Sequence, residues 1–355
     1  MRREVRIAVL GTGGTIAGLA ERPEDQIGYK AGALPVGELL CTLKVPEGVS
    51  LVGTSIAQID SKDMTHGVWQ VLAREVVRGI HAPAIDAIVV THGTDTIEET
   101  AWFLREVLHA ARETYKPVVL TCAMRPASSI AADGPQNLRD AIATARALVE
   151  ANLAEPPTRP WDHPPAFPTV VVVCGGAVHT AQQVRKVHPY RLNPFESGDV
   201  GPCGYVEEGK LRWIRAPFDR HVPESSATPG RGELLTRVMN AVSWPRVEIV
   251  HSHAGSDAYL VDLICAAREA PGGAAGVQGL VVATTGNGTV HESLEAALVR
   301  AQRAGLRVIR ATRCTDGSIV PGGAHSLPAS PHLSPVKARV SLMLELLLAE
   351  GSVIS

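Results

Sequence analysis

At 355 residues, with 45% apolar side chains, the chain is long enough for two domains with sizeable cores. Its formal net charge of −2, without basic blocks, argues against a nucleic-acid partner, and no apolar stretch is long enough to span a membrane. Aromatic residues are only 4% of the chain, while glycine, alanine and valine are abundant, which suits tightly packed α/β layers.

Val5 to Leu10 reads as a first strand and runs into Gly11-Thr12-Gly13-Gly14-Thr15. Glu21 to Lys30 is polar, holds Pro23 and Gly28, and reads as a mobile loop. Val36 to Leu43 looks helical; Leu51 to Ala57 is a second strand, closed by Ile59-Asp60-Ser61-Lys62-Asp63; Met64 to Gly79 has apolar residues at helical spacing. Ala87 to Val90 is a buried third strand, and Thr96 with Glu99 forms a capping box for the helix that follows, to Ala111. Pro117 to Cys122 is a fourth strand ending in Ala123-Met124-Arg125, and Asp133-Gly134-Pro135 opens a helix to about Ala151. A proline-rich connection, Ala154 to Pro168, leads to a strand from Thr169 to Val173, then to His179–Arg185 and a long irregular stretch reaching Tyr205.

Near Arg215 the strand–helix alternation gives way to proline, serine and charge. Beyond that, Val247–Val250, Leu280–Ala283 and Leu306–Arg310 read as strands alternating with helices near Ala258–Arg268, Leu294–Ala304 and Val336–Leu348. The expected fold is therefore α/β: two α/β domains with mostly parallel sheets covered on both faces, the N-terminal one larger. Its divisions are a catalytic domain 1–214, a linker 215–246 and a C-terminal domain 247–355. The six cysteines show no C-x-x-C spacing, and Cys122 and Cys174 lie in apolar runs, as buried thiols do. No signal-like apolar segment follows Met1-Arg2-Arg3-Glu4, so a reducing cytoplasmic location is expected.

Gly93-Thr94-Asp95, between a strand and a helix, sits where open α/β sheets bind ligands. Thr15, Ser61 and the Ala123-Met124-Arg125 turn occupy equivalent strand ends. Singly, each serine or threonine is accounted for as a cap or turn residue; together they describe one pocket with several hydroxyls and a carboxylate. Gly11-Thr12-Gly13-Gly14 is not a dinucleotide fingerprint, since Ile16 stands at the third glycine position and no acidic partner follows. His251-Ser252-His253 has two donors on one strand face for a metal, but no further ligands at supporting spacing. No cofactor and no metal are expected.

These motifs resemble the bacterial-type L-asparaginase family. The resemblance is carried by Thr12-Gly13-Gly14-Thr15-Ile16-Ala17, His92-Gly93-Thr94-Asp95-Thr96 and Ala123-Met124-Arg125-Pro126 with Asp133-Gly134-Pro135-Gln136-Asn137. It continues in order through Val184-Arg185-Lys186, Gly286-Asn287-Gly288 and Ser334-Pro335-Val336-Lys337-Ala338-Arg339. The resemblance implies an asparagine amidohydrolase, with some glutaminase activity, assembled as a homotetramer of close dimers whose sites lie between subunits. Carried over by motif, it makes Thr15 the nucleophile, Tyr29 the tyrosine of a closing loop, and Thr94, Asp95 and Lys186 a second catalytic group. Gly14, Ser61, Gly93, Thr94, Asp95 and Ala123 are the expected substrate contacts, with Ser61 on the α-carboxylate.

Lys62 is a departure, because secreted members usually place there a glutamine that touches the substrate amine. The lysine either points outward to pair with Asp60 or Asp63, or faces the ligand and strengthens carboxylate binding. Some members also receive an acidic residue from a neighbouring subunit; the corresponding stretch, Arg313 to Ser330, holds only Asp316. Two other readings stay open: an amino-acid-binding protein without chemistry, and a metal-dependent amidase using His251 and His253.

Overall fold

The computed structural model describes residues 3–110, 116–154, 170–215, 233–269, 276–322 and 326–350. The chain forms two compact units, Met1–His221 and Val222–Ser355.

The first unit runs β1 (Val5–Gly13), α1 (Val36–Cys41), β2 (Val49–Ile59), α2 (His66–His81), β3 (Ala87–Thr91), α3 (Ile97–Ala110), β4 (Val118–Thr121), α4 (Gly134–Ala154), β5 (Val170–Cys174), β6 (Ala177–Thr180), β7 (Gly204–Glu207) and β8 (Lys210–Trp213). These strands make one eight-stranded sheet in the order β8-β7-β6-β5-β4-β3-β1-β2. From β2 to β5 neighbours are parallel. The continuous apolar sequences of β3, β4 and β5, buried along their whole length, follow from cover on both faces. Val89, Val119 and Val171 pack with Leu138, Ile142 and Leu148 of α4, while Ile88, Val90, Leu120 and Val172, pointing the other way, are buried as well.

Beyond β5 the sheet is antiparallel, from β6 to β8, and the stretch expected to be irregular runs between β6 and the start of β7. Gly175 and Gly176, at φ 58° and 73°, form a two-residue turn that reverses the chain from β5 into β6. Both central residues at positive φ are the mark of a tight hairpin turn, and glycine accepts that geometry without steric cost. A two-residue ladder then pairs Arg185–Lys186 with Phe195–Glu196.

The second unit contains α5 (Leu234–Asn240), β9 (Val247–His251), α6 (Tyr259–Glu269), β10 (Gly279–Thr284), α7 (Glu292–Arg303), β11 (Arg307–Thr312) and α8 (Pro335–Ala349). Its three-stranded sheet β9-β10-β11 is parallel, with Val250, Leu280, Val282, Leu294, Leu298 and Val308 in the core. Helix α5 falls inside the stretch expected as a linker, whose residues 216–232 lie outside those described, as does 155–168 of the proline-rich connection. All six cysteines are free, and Cys122 and Cys174 are buried. Among the described residues no helix is long and apolar enough to cross a membrane.

Candidate active site

In the parallel part of the sheet the chain builds outward from β1 to β2 on one side and from β3 to β5 on the other. The switch therefore falls between β1 and β3, and the turns leaving their carboxyl ends flank a crevice. The turn after β1 carries Gly14 and Thr15; the turn after β3 carries His92 to Thr96. Gly14 has φ 78°, and a Cβ there would collide with the backbone of Gly93. A Cβ on Gly93 would in turn meet Ser61 Oγ at 2.5 Å. Side chains are missing at both positions because three backbone turns converge there.

Ser61, which follows β2, is buried and holds the β3 turn in place. Its hydroxyl accepts from Asp95 N–H at 3.2 Å, and its carbonyl accepts from the Thr96 hydroxyl at 2.7 Å. Thr96 does sit directly before α3, as its capping signature predicts, but its hydroxyl hydrogen is spent on this tertiary contact. Ala123 is fully buried at the end of β4, and Asp133 accepts from Met124 N–H and Arg125 N–H at 2.9 Å each, fixing the turn that follows.

Two hydroxyl-centred groups meet at this edge. Thr15 Oγ1 lies 2.7 Å from Tyr29 Oη, where either oxygen can donate. Burial raises the Tyr29 phenol above its ordinary value of 10.0; the hydrogen bond from Thr15 works against that rise, and the carboxylates of Asp60 and Asp95 add to it. The influence of Asp95 on Tyr29 ties the first group to the second. There Lys186 Nζ donates to Thr94 Oγ1 at 2.8 Å and to Asp95 Oδ1 at 2.5 Å. The Lys186 side chain is 16% exposed and that of Asp95 is 53% exposed, so the carboxylate keeps a solvent-facing side while the ammonium is enclosed.

The loop bearing Tyr29 is held by several hydrogen bonds. Asp25 Oδ1 accepts from Ile27 N–H and Gly28 N–H, Gln26 Nε2 donates to Ser129 Oγ at 2.8 Å, and Ala20 N–H donates to Ser128 Oγ at 2.8 Å. Lys62 points outward, 62% exposed, with Nζ 3.2 Å from Asp60 Oδ2 and 2.6 Å from Asp63 Oδ2.

Behind the site lies a buried chain that motif spacing alone did not single out. His92 Nδ1 is 2.7 Å from Gly93 O, and His92 Nε2 is 2.9 Å from Thr100 Oγ1, which accepts from Trp69 Nε1–H at 2.9 Å. Trp69 stacks on Phe103 with centroids 4.8 Å apart. Burial pushes His92 down to about 4, so the ring is neutral near pH 7.

His251 and His253 belong to the second unit, where His253 Nδ1 bonds Ala254 O at 2.8 Å. Among the described residues no group of three His, Cys, Asp or Glu side chains is placed to hold a metal.

Comparisons with known proteins agree on one family. The description "Asparaginase, N-terminal" matches residues 6–219, and "Glutaminase/Asparaginase C-terminal domain" matches residues 246–352. The L-asparaginase 2 of Escherichia coli (strain K12) is 33% identical over 346 residues, covering 96% of this chain and 88% of that protein. A glutaminase-asparaginase of Acinetobacter glutaminasificans is 30% identical, covering 96% and 94%. The crystal structure of a probable cytoplasmic L-asparaginase from Campylobacter jejuni superposes with a TM-score of 0.78 at 31% identity, covering 96% of this chain and 95% of that one.

Proposed function

The chain belongs to the asparaginase family, and from that membership we propose that it hydrolyses the side-chain amide of L-asparagine through Thr15, giving L-aspartate and ammonia. Some turnover of glutamine follows from the same likeness, since a relative carries both activities in its name. One extra methylene is worth only about 1–3 kcal/mol in a pocket, so discrimination between the two amides is a matter of degree.

The observation that carries the reading is the pairing of each site threonine with its own proton-handling partner, Thr15 with Tyr29 and Thr94 with Lys186. A threonine hydroxyl is a weak nucleophile and needs its proton removed as it attacks. Tyr29, holding its own proton, acts as a relay: it takes the Thr15 hydrogen and passes its phenolic hydrogen to the departing nitrogen. Thr15 Oγ1 bonds to the amide carbon, the carbon–nitrogen bond breaks, and ammonia leaves. Water then cleaves the ester, returning the hydrogen to Thr15 Oγ1. Lys186 is assigned as a donor to Thr94 Oγ1, which leaves the Thr94 hydroxyl hydrogen directed at the substrate. The open side of Asp95 holds the substrate ammonium, Ser61 and the backbone at Gly14 and Gly93 receive the α-carboxylate end, and Ala123 closes the apolar wall.

We assign this chemistry to residues 1–214 and propose a homotetramer built from close dimers in the cytoplasm. Tyr259, Leu260 and Leu263 leave one side of α6 exposed and apolar, which supports an interface. Sedimentation and cell fractionation test these two points. The reaction is tested by ammonia release from L-asparagine, L-glutamine and their D-forms, with and without EDTA. The expected result is release from L-asparagine, unchanged by chelator. Binding of asparagine without ammonia would make the chain a binding protein, and loss of activity with chelator would revive the metal amidase.

A further inference from the structure

The mechanism above leaves the imidazole of His92 unused. His92 is fully buried one residue before Gly93, and its ring contacts can be assigned without ambiguity. Gly93 O can only accept, so Nδ1 carries the ring hydrogen and donates it. Nε2 of the neutral ring is then an acceptor, and the hydroxyl of Thr100 donates to it. Thr100 Oγ1 in turn accepts from Trp69 Nε1–H. Three side chains from α2, the β3 turn and α3 thus pass hydrogen bonds in one direction and end on a single carbonyl.

That carbonyl belongs to the Gly93–Thr94 peptide. In a planar trans peptide the C=O and the N–H point in opposite directions, so fixing Gly93 O fixes Thr94 N–H. Among the described residues Thr94 N–H has no hydrogen-bond partner, whereas the next amide, that of Asp95, is used by Ser61. The glycine at position 93 would otherwise let this peptide rotate. We propose that His92 is a positioning residue, locked as the Nδ1–H tautomer by Thr100 and Trp69, which holds the Gly93–Thr94 peptide so that Thr94 N–H is presented to the oxyanion formed during amide attack. This rests on the assignment of Thr15 as nucleophile. It adds that the donor's aim is set from behind, by a side chain that never meets substrate.

The test uses the full chain in three variants. Removing one oxyanion donor costs about 100- to 1000-fold in kcat. His92→Leu is expected to lower kcat for L-asparagine by about 100-fold, with KM within about threefold. His92→Asn, which restores an N–H donor near Gly93 O, should recover at least tenfold of that loss. Thr100→Val, nearly isosteric, should lower kcat by about tenfold and serves if His92→Leu does not fold. In parallel, nitrogen-15 histidine spectra of the wild type should show His92 as the Nδ1–H tautomer across neutral pH. A His92→Leu enzyme with kcat within threefold of wild type, a loss of equal size in His92→Asn, or an Nε2–H tautomer would each overturn the proposal. If the wild type released no ammonia from asparagine, the proposed function would fall while the tautomer spectrum still decided the placement of the peptide.

Discussion

Tyr29 Oη lies 2.7 Å from Thr15 Oγ1 because the loop between them is pinned at Gln26 and Ala20 to the Ser128-Ser129 turn. The phenol is half-buried, and that burial raises it above its ordinary value of 10.0, so it holds its proton at neutral pH. Tyr29→Phe removes the relay without removing the ring. General acid–base groups contribute about 100- to 10,000-fold, so kcat should fall by at least about 100-fold while KM changes little. Steady-state kinetics on asparagine check this, and a kcat within threefold of wild type would remove Tyr29 from the proton path.

Lys186, Thr94 and Asp95 form one hydrogen-bonded unit, and interacting catalytic groups fail together. Thr94→Val and Lys186→Met should each lower kcat by about 1000-fold or more, and the double variant should be little worse than either single. Losses that simply multiplied in the double variant would show that the two residues act independently.

Lys62 occupies the position where a substrate-amine contact is expected by resemblance, yet it is exposed and paired with Asp60 and Asp63. Exposed ion pairs of this kind are weak because solvent screens them. Lys62→Gln should therefore leave product inhibition by aspartate within about twofold of wild type. A large rise in the inhibition constant would mean that Lys62 turns into the pocket when substrate is bound.

The buried His92 gives stability a defined pH dependence. Its pKa falls from an ordinary 6.5 to about 4 on folding. Between those values the unfolded chain binds a proton that the folded chain does not, so stability falls as pH drops from 6.5 toward 4 and is fully present above 6.5. One such group accounts for about 3 kcal/mol across the window. Urea unfolding at pH 8, 6 and 5 should show a steeper pH dependence in wild type than in His92→Leu; equal slopes would show that the ring is not held neutral.

Much of this architecture was legible in sequence, because parallel strands covered on both faces read as apolar runs ended by glycine turns, as at Ala87–Thr91. The polar strand ends at Thr15, Ser61 and Thr94 were visible for the same reason. The antiparallel half was missed although Gly175-Gly176 lies between two apolar segments, the signal of a tight hairpin. The position of Lys186 depends on that reversal and on a two-residue ladder, too short to leave a periodic pattern. The outward turn of Lys62 follows its pairing with Asp60 and Asp63, one of the two readings the sequence offered, whereas the aim of His92 depends on Thr100 and Trp69 and on hydrogen direction, which spacing does not encode.

The central claim is a covalent bond to Thr15. Enzyme turning over L-asparagine is quenched in acid, digested, and its peptides are weighed and fragmented. The account predicts an aspartyl ester on the hydroxyl of Thr15, accumulating further in Lys186→Met if hydrolysis of the ester is slowed more than its formation, and absent from Thr15→Ala, which releases no ammonia. An ester on Thr94 instead, or sustained ammonia release by purified Thr15→Ala, would contradict it.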